Sequence, residues 1–284
     1  MTLAAFQIEF GGLVMGDGTD YDLVTLDGLE GLPAMVQTDQ KRPRAHGQFL
    51  GGMFASGRQV TAVLEVTAAT DAAFRADLDA LSNATTPLPF TETPFTYSLP
   101  GMTGARMVGA RALDRAIIVD VDYVHRVAHA ACRWWATDPL VYSDPAQTLW
   151  TSVPLDDGGV AWPGVWPLYW GVSSSSGLIT AINAGGIAAP VVIVLTGPVD
   201  NPTVTNLTEG KALAFSLHLG PTDTLTIDPA HFSVLLNGIV NKRGSMTPGS
   251  RWWDLQPGAN VIAYHAASAL SGSTATLSWR SAWM

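Results

Sequence analysis

The sequence predicts an all-β fold with a single helix, shared between two domains. Three observations predict it. Apolar and polar residues alternate with period two along most of the chain, 28 Gly and 18 Pro require frequent tight turns, and one stretch alone has a helical period. The 284 residues suit two domains of roughly 140 residues each. Asp138-Pro139 and Asp144-Pro145 interrupt regular structure, so the boundary is expected near 137–150. This gives a β-rich domain over 1–140 and a β-sandwich or jelly roll over 141–284.

In the first half, Phe6, Ile8 and Phe10 share one face of a strand that Gly11-Gly12 turns. Tyr21 to Leu29 and Met35 to Thr38 are further strands, parted by Glu30-Gly-Leu-Pro33. Arg58 to Thr67 sets Val60, Ala62, Leu64 and Val66 on one face. The period then changes: Phe74, Leu78 and Leu81 form a helical stripe. A helix near 70–82 follows, with Thr70 as N-cap and Asp71 at the positive end of its dipole. Strands resume at Phe95–Leu99, Arg106–Leu113, Ile117–Val124 and Ala128–Trp135, the first two joined as a hairpin through Pro100 to Gly104.

In the second half, Val191–Leu195, Lys211–Leu219, Thr224–Ile227, Val234–Leu236, Asn260–His265 and Thr274–Trp283 read as short strands. Asn237-Gly238 between apolar runs is a type I′ hairpin signal, because both residues tolerate positive φ. Gly220 to Asp223 is read as linking a pair whose Leu217, Leu219, Leu225 and Ile227 share a core. Ser173 to Ser176 is a short polar loop.

Composition narrows the functions. Hydrophobic residues at 47% against 14% charged exclude disorder as the main state. A net charge of −9 argues against tracking phosphates, which needs excess Lys and Arg. The lone Cys132 excludes a disulfide framework and a multi-cysteine zinc site, and reads as a small buried hydrophobe. No run reaches the roughly 18 apolar residues of a membrane span. The N-terminus lacks the basic start of a secretory signal, so synthesis in a cytoplasm is expected.

No catalytic, metal or cofactor signature emerges. His125 and His129 lie near Asp120 and Asp122, but on a strand the two pairs face opposite ways, so no metal site is expected. Asp17 to Asp22 lacks the spacing of a calcium loop. Gly51 to Gly57 has no Lys-Ser/Thr ending to grip phosphate.

Two stretches carry candidate contacts. Asp39-Gln-Lys-Arg-Pro-Arg-Ala-His-Gly47 is the one concentrated basic stretch. It reads as a solvated loop, as a contact with an acidic surface of another copy, or, third, as a nucleic-acid contact. Trp252-Trp253 reads either as a plug closing the sandwich edge, one ring in and one out, or as a platform for stacking on sugar.

Gly158-Gly-Val-Ala-Trp-Pro-Gly-Val-Trp-Pro-Leu-Tyr-Trp-Gly171 repeats an aromatic-Pro unit, and this resembles the entry into the second domain of the siphophage distal tail proteins (Dit, the siphovirus-type tail component family). Other stretches agree in order. Thr137 to Tyr142 resembles that family's domain junction, Asn183-Ala-Gly-Gly186 and Thr196 to Val204 its first C-terminal strands, and Ser250 to Ile262 with Ala275 to Trp283 its closing strands. Leu26 to Pro33, Arg42 to Gly47 and Gly57-Arg58 resemble the belt domain of the actinobacteriophage minor tail protein branch.

The resemblance implies a ring-forming belt domain, usually hexameric, followed by a galectin-like sandwich. It implies a non-enzymatic hub of a long non-contractile tail, located at the distal end of the virion. Its partners would be other copies of itself, the tail tube protein, the tail-tip adhesion proteins, and genomic DNA in transit. Neither a cofactor nor membrane insertion is implied. On that reading Lys41, Arg42, Arg44 and Arg58 are candidate ring contacts. The alternative is a carbohydrate- or receptor-binding tail protein acting through the sandwich, with Trp252 and Trp253 as the stacking pair.

Overall fold

The computed structural model describes residues 3–154, 177–269 and 272–284. The aromatic-Pro repeat of 158–171 and the loop Ser173 to Ser176 lie outside the described residues. The chain separates into two compact units, Met1–Asp144 with Trp283–Met284, and Pro145–Ala282.

The first unit begins with β1 (Gln7–Phe10), β2 (Leu13–Gly16) and β3 (Tyr21–Asp27), then four short strands, β4 (Met35–Gln37), β5 (Gln40–Lys41), β6 (Gln48–Phe49) and β7 (Met53–Ala55). Next come β8 (Arg58–Thr67), α1 (Asp71–Ala84), β9 (Thr93–Ser98), β10 (Arg106–Ile118), β11 (Val127–Ala136) and β12 (Val141–Ser143). The main sheet runs in the order β2-β1-β9-β10-β11-β8-β3. Strand β10 is its spine: residues 106–110 pair with β9 and 111–118 with β11, and the register slips between Ala112 and Asp114. Such a bulge bends a strand and re-aims its partners.

The core follows from the period-two pattern. β8 buries Arg58, Val60, Ala62, Leu64 and Val66, while β11 buries Ala128, Ala130, Cys132, Trp134 and Ala136. Trp134 fills the space its small neighbours leave, edge-on to Phe10 at 5.6 Å and to Phe95 at 5.0 Å. Helix α1 starts as expected: the Thr70 side chain accepts from Ala73 N, and Phe74, Leu78 and Leu81 are buried. At its other end Arg115 donates to Ser82 O and Thr85 Oγ1, placing a cation at the negative end of the dipole.

The second unit contains β13 (Gln147–Ser152), β14 (Leu178–Asn183), β15 (Val191–Thr196), β16 (Val199–Asp200), β17 (Thr203–Asn206), β18 (Lys211–Ala214) and β19 (His218–Leu219). After these come β20 (Thr224–Asp228), β21 (Ser233–Leu236), β22 (Val240–Asn241), β23 (Gly258–His265), β24 (Ser268–Ala269) and β25 (Thr274–Trp279). Among the described residues they make a six-stranded sheet, β13-β25-β15-β20-β21-β22, a four-stranded sheet, β14-β23-β17-β18, and a three-stranded one, β19-β16-β24. Trp279 of the first of these sheets donates its indole N–H to Ile182 O of the second at 3.0 Å.

Turn chemistry is realised where it is local. Asn237 and Gly238 have φ of 52° and 72°, and Leu236 pairs with Val240 across them. Asn183 ties the start of the family-like stretch: its amide donates to Ile187 O and Leu255 O and accepts from Gly185 N. A Cβ on Gly185 would lie 1.8 Å from Ala282 O, so only glycine fits there.

Three expectations are corrected. Lys211–Leu219 is not one strand, because the chain leaves the four-stranded sheet after Ala214 and His218–Leu219 joins β16 instead. Gly220 to Asp223 therefore links strands of two different sheets, and Leu219, Leu225 and Ile227 of the expected set are buried. The strand expected over Ile117–Val124 stops at Ile118, and Val121–His125 is a 3-10 turn capped by the Asp120 side chain.

Candidate functional site

Between β3 and β8 the chain of the first unit leaves its core. β4 pairs with β7, matching Val36 to Phe54, and β5 pairs with β6, matching Gln40 to Phe49. Bonds from Ser56 N to Ala34 O, Thr38 N to Gly52 O and Arg42 N to Gly47 O carry the pairing from base to tip. The outcome is a two-stranded arm over residues 34–56 whose strand residues are almost all exposed. The glycines at 51–57 serve its backbone rather than a phosphate: a Cβ on Gly51 would stand 2.4 Å from Thr38 O, and one on Gly57 would stand 2.5 Å from the Trp135 ring.

The arm carries apolar side chains into solvent. Leu50 is 92% exposed, Phe54 68% and Phe49 56%, with Val36 and Met53 also exposed. An isolated two-stranded ribbon is marginal in water, and such a concentration of exposed apolar residues marks an interaction surface. Lys41, Arg42 and Arg44 lie toward the tip, exposed, with the Arg42 guanidinium over the Phe49 ring at 5.0 Å.

Arg58 departs from the other three expected contacts. It is 1% exposed. Its Nε donates to Pro139 O at 2.9 Å, and Nη1 lies within hydrogen-bond distance of Gly28 O, Leu29 O and Gly31 O. Burial pulls its pKa down, opposed by Tyr97 and Glu30. Nε and Nη1 are thus used on carbonyls of its own unit and hold the segment that leads into the arm, while Nη2 is buried with no partner among the described residues.

At the far end of β10 the structure gathers what the strand reading separated. Ligand atoms of Asp120, Asp122 and His129 all lie within 4.8 Å of one another, because 120–125 is a turn and not a strand. His125 is not part of the group. The two aspartates are exposed, and Asp120 already accepts from Asp122 N as a cap. Cys132 is buried, and burial pushes its thiol up to about 11, which leaves it without the thiolate a nucleophile needs.

The second unit has a cleft of about 380 Å³ where the turn after β20 meets the segment before β23. Trp252 and Trp253 both line it, in different ways. Trp253 is 2% exposed and part of the core, whereas Trp252 is half-buried, with Arg243 over its ring at 6.0 Å. The exposed ring is that of Phe232, T-shaped against Trp252 at 5.6 Å, and the sequence reading did not name it. Lys211, Asp254 and Gln256 supply polar walls. Burial, then the charge of Glu209, pushes the Asp254 carboxyl above the usual range, with Lys211 opposing.

Comparison with known proteins places this architecture. Residues 184–283 match the family described as siphovirus-type tail component, C-terminal domain. Among curated protein sequences, none matches the chain. Among solved structures it is similar to SPP1 Dit (gp 19.1), described as a paradigm of hub adsorption apparatus in Gram-positive infecting phages. That likeness has a TM-score of 0.67 at 12% identity and covers 99% of this chain and 100% of the other. It is also similar to a chain of the phage P2 baseplate in its activated conformation with Ca, with a TM-score of 0.52 at 10% identity, covering 96% of each. The motif order read from the sequence thus meets a match of residues 184–283 to the siphovirus-type tail component C-terminal domain, on a chain that shares the fold of SPP1 Dit.

Proposed function

We propose that this chain is a structural hub of a long non-contractile phage tail. Copies of it close into a ring, usually of six, at the distal end, between the tail tube and the adhesion proteins of the tip. The observation that carries the reading is the arm of residues 34–56, whose apolar side chains Val36, Phe49, Leu50, Met53 and Phe54 are left exposed among the described residues. Seating it on a neighbour would stabilise the contact by roughly 1.5–3 kcal/mol for each large apolar side chain fully covered. It would also protect ribbon edges that otherwise template aggregation. The fold shared with SPP1 Dit and the family match over 184–283 support the same reading.

The reading assigns the chain no catalytic step. The second unit is the galectin-like sandwich of this proposal, presented outward, and the ring opening passes genomic DNA. An acidic subunit of net charge −9 suits such a channel, since like charges keep DNA from adhering. Synthesis would take place in the host cytoplasm and residence in the virion.

Gold-labelled antibody against the chain, applied to intact virions, tests the location. Label at the distal end of the tail tube is expected, and label along the tube or on the capsid would contradict the proposal. Charge reversal of acidic residues lining the ring opening is expected to slow genome ejection.

A further inference from the structure

The cleft in the second unit has features that closing a core does not require. Phe232 is 52% exposed and sits at φ 50°, a left-handed conformation in which a bulky residue is an outlier. The turn that holds it is tied down: Asp228 accepts from Ala230 N and His231 N and bonds the His231 ring at 2.6 Å, and Phe232 N donates to Pro229 O. The opposite wall is fixed from behind by Glu209, which accepts from Gln256 Nε2 at 2.7 Å and from Lys211 Nζ at 3.2 Å. Its second oxygen is buried with no partner among the described residues.

A rigid, exposed aromatic ring therefore faces a wall that mixes a carboxyl, an amide and an ammonium whose charge Glu209 already offsets. Lys211, the cation among the residues that line the cleft, is already paired with Glu209, and a purely apolar ligand would strand the polar wall. A polyhydroxylated ring satisfies both sides, with a C–H face for the aromatic and hydroxyls that donate and accept. We propose that this cleft binds a hexopyranose unit of a saccharide. The sugar rests on Phe232 beside Trp252, and its hydroxyls bond Asp254, Gln256 and Lys211. This does not depend on ring formation, and either idea can fail without the other.

The test uses the full chain with two methyl hexopyranosides, gluco and galacto, observed by saturation-transfer NMR, and with soluble bacterial wall polysaccharide observed by calorimetry. Transfer to the sugar C–H protons is expected, with millimolar affinity for the monosaccharides and tighter binding of the polymer. Phe232→Asn removes the ring but keeps a residue that tolerates left-handed backbone, so the turn should persist. It is expected to weaken binding about tenfold, the loss of one aromatic contact, at an unchanged unfolding midpoint. Asp254→Ala is expected to weaken it as well. Absence of transfer to both sugars together with no polymer binding would overturn the proposal. So would binding that both variants leave intact, or polymer binding abolished by Arg42→Ala/Arg44→Ala at the arm tip instead.

Discussion

A single side chain, Arg58, shows how burial can override what a residue type suggests. A cation inside a β-rich unit is tolerated because carbonyls of Gly28, Leu29, Gly31 and Pro139 converge on it. Removing it strands those carbonyls, so Arg58→Ala is expected to destabilise the first unit by roughly 3 kcal/mol, read from urea unfolding. Lysine, with one nitrogen in place of the planar fork, should restore only part of that. Titration makes a second prediction. Burial first raises Cys132 from 9.0 to about 11, and Tyr21 and Tyr97 from 10.0 to about 12. Between the ordinary and raised values the folded state keeps protons that the unfolded state has lost, so the unfolded state binds fewer and stability falls as pH rises. The contribution is whole below about pH 9 and is lost progressively up to about 12. Thermal unfolding across that window should show a falling midpoint, and Cys132→Ser should change the slope in its lower part. A flat profile would contradict the burial of all three groups.

At the scale of elements, α1, β8 and the Asn237-Gly238 turn were legible because their signals are local: a helical stripe behind a capping Thr, strict alternation, and two residues suited to positive φ. The arm was not legible as an arm. Met35–Gln37 read as a strand like any other, and only the absence of a covering layer distinguishes it, which is a property of tertiary structure. The residues Asp120, Asp122 and His129 were read as split between two faces because the two-residue period was carried through a turn that Asp120 caps. Phe232 was missed because its neighbour Trp252 lies 20 positions along the chain, and no spacing rule joins them. The arm also gives the sharpest variant. Leu50→Asp/Phe54→Asp changes exposed side chains, so thermal unfolding of the unassembled chain should shift little. Sedimentation velocity is expected to show loss of the assembly. Assembly equal to that of the unaltered chain would exclude the arm as its interface.

For the molecule as a whole, the two units divide the proposed labour, assembly in the first and outward presentation in the second. Their chain paths are not fully separate, because Trp283 belongs to the first unit, where it lies against the Arg106 guanidinium at 4.1 Å. A fragment ending near residue 140 loses that cover, so the division is better tested on the intact chain than on halves. All of the family match except Trp283 falls within the second unit, while the feature that carries the proposed ring lies in the first. The most direct measurement is therefore electron microscopy of the purified full-length chain, with image classes resolved well enough to trace residues 34–56. The account predicts closed rings in which each arm lies on the neighbouring copy and its apolar side chains are covered. Single particles at every concentration, or rings whose arms point into solvent, would contradict it.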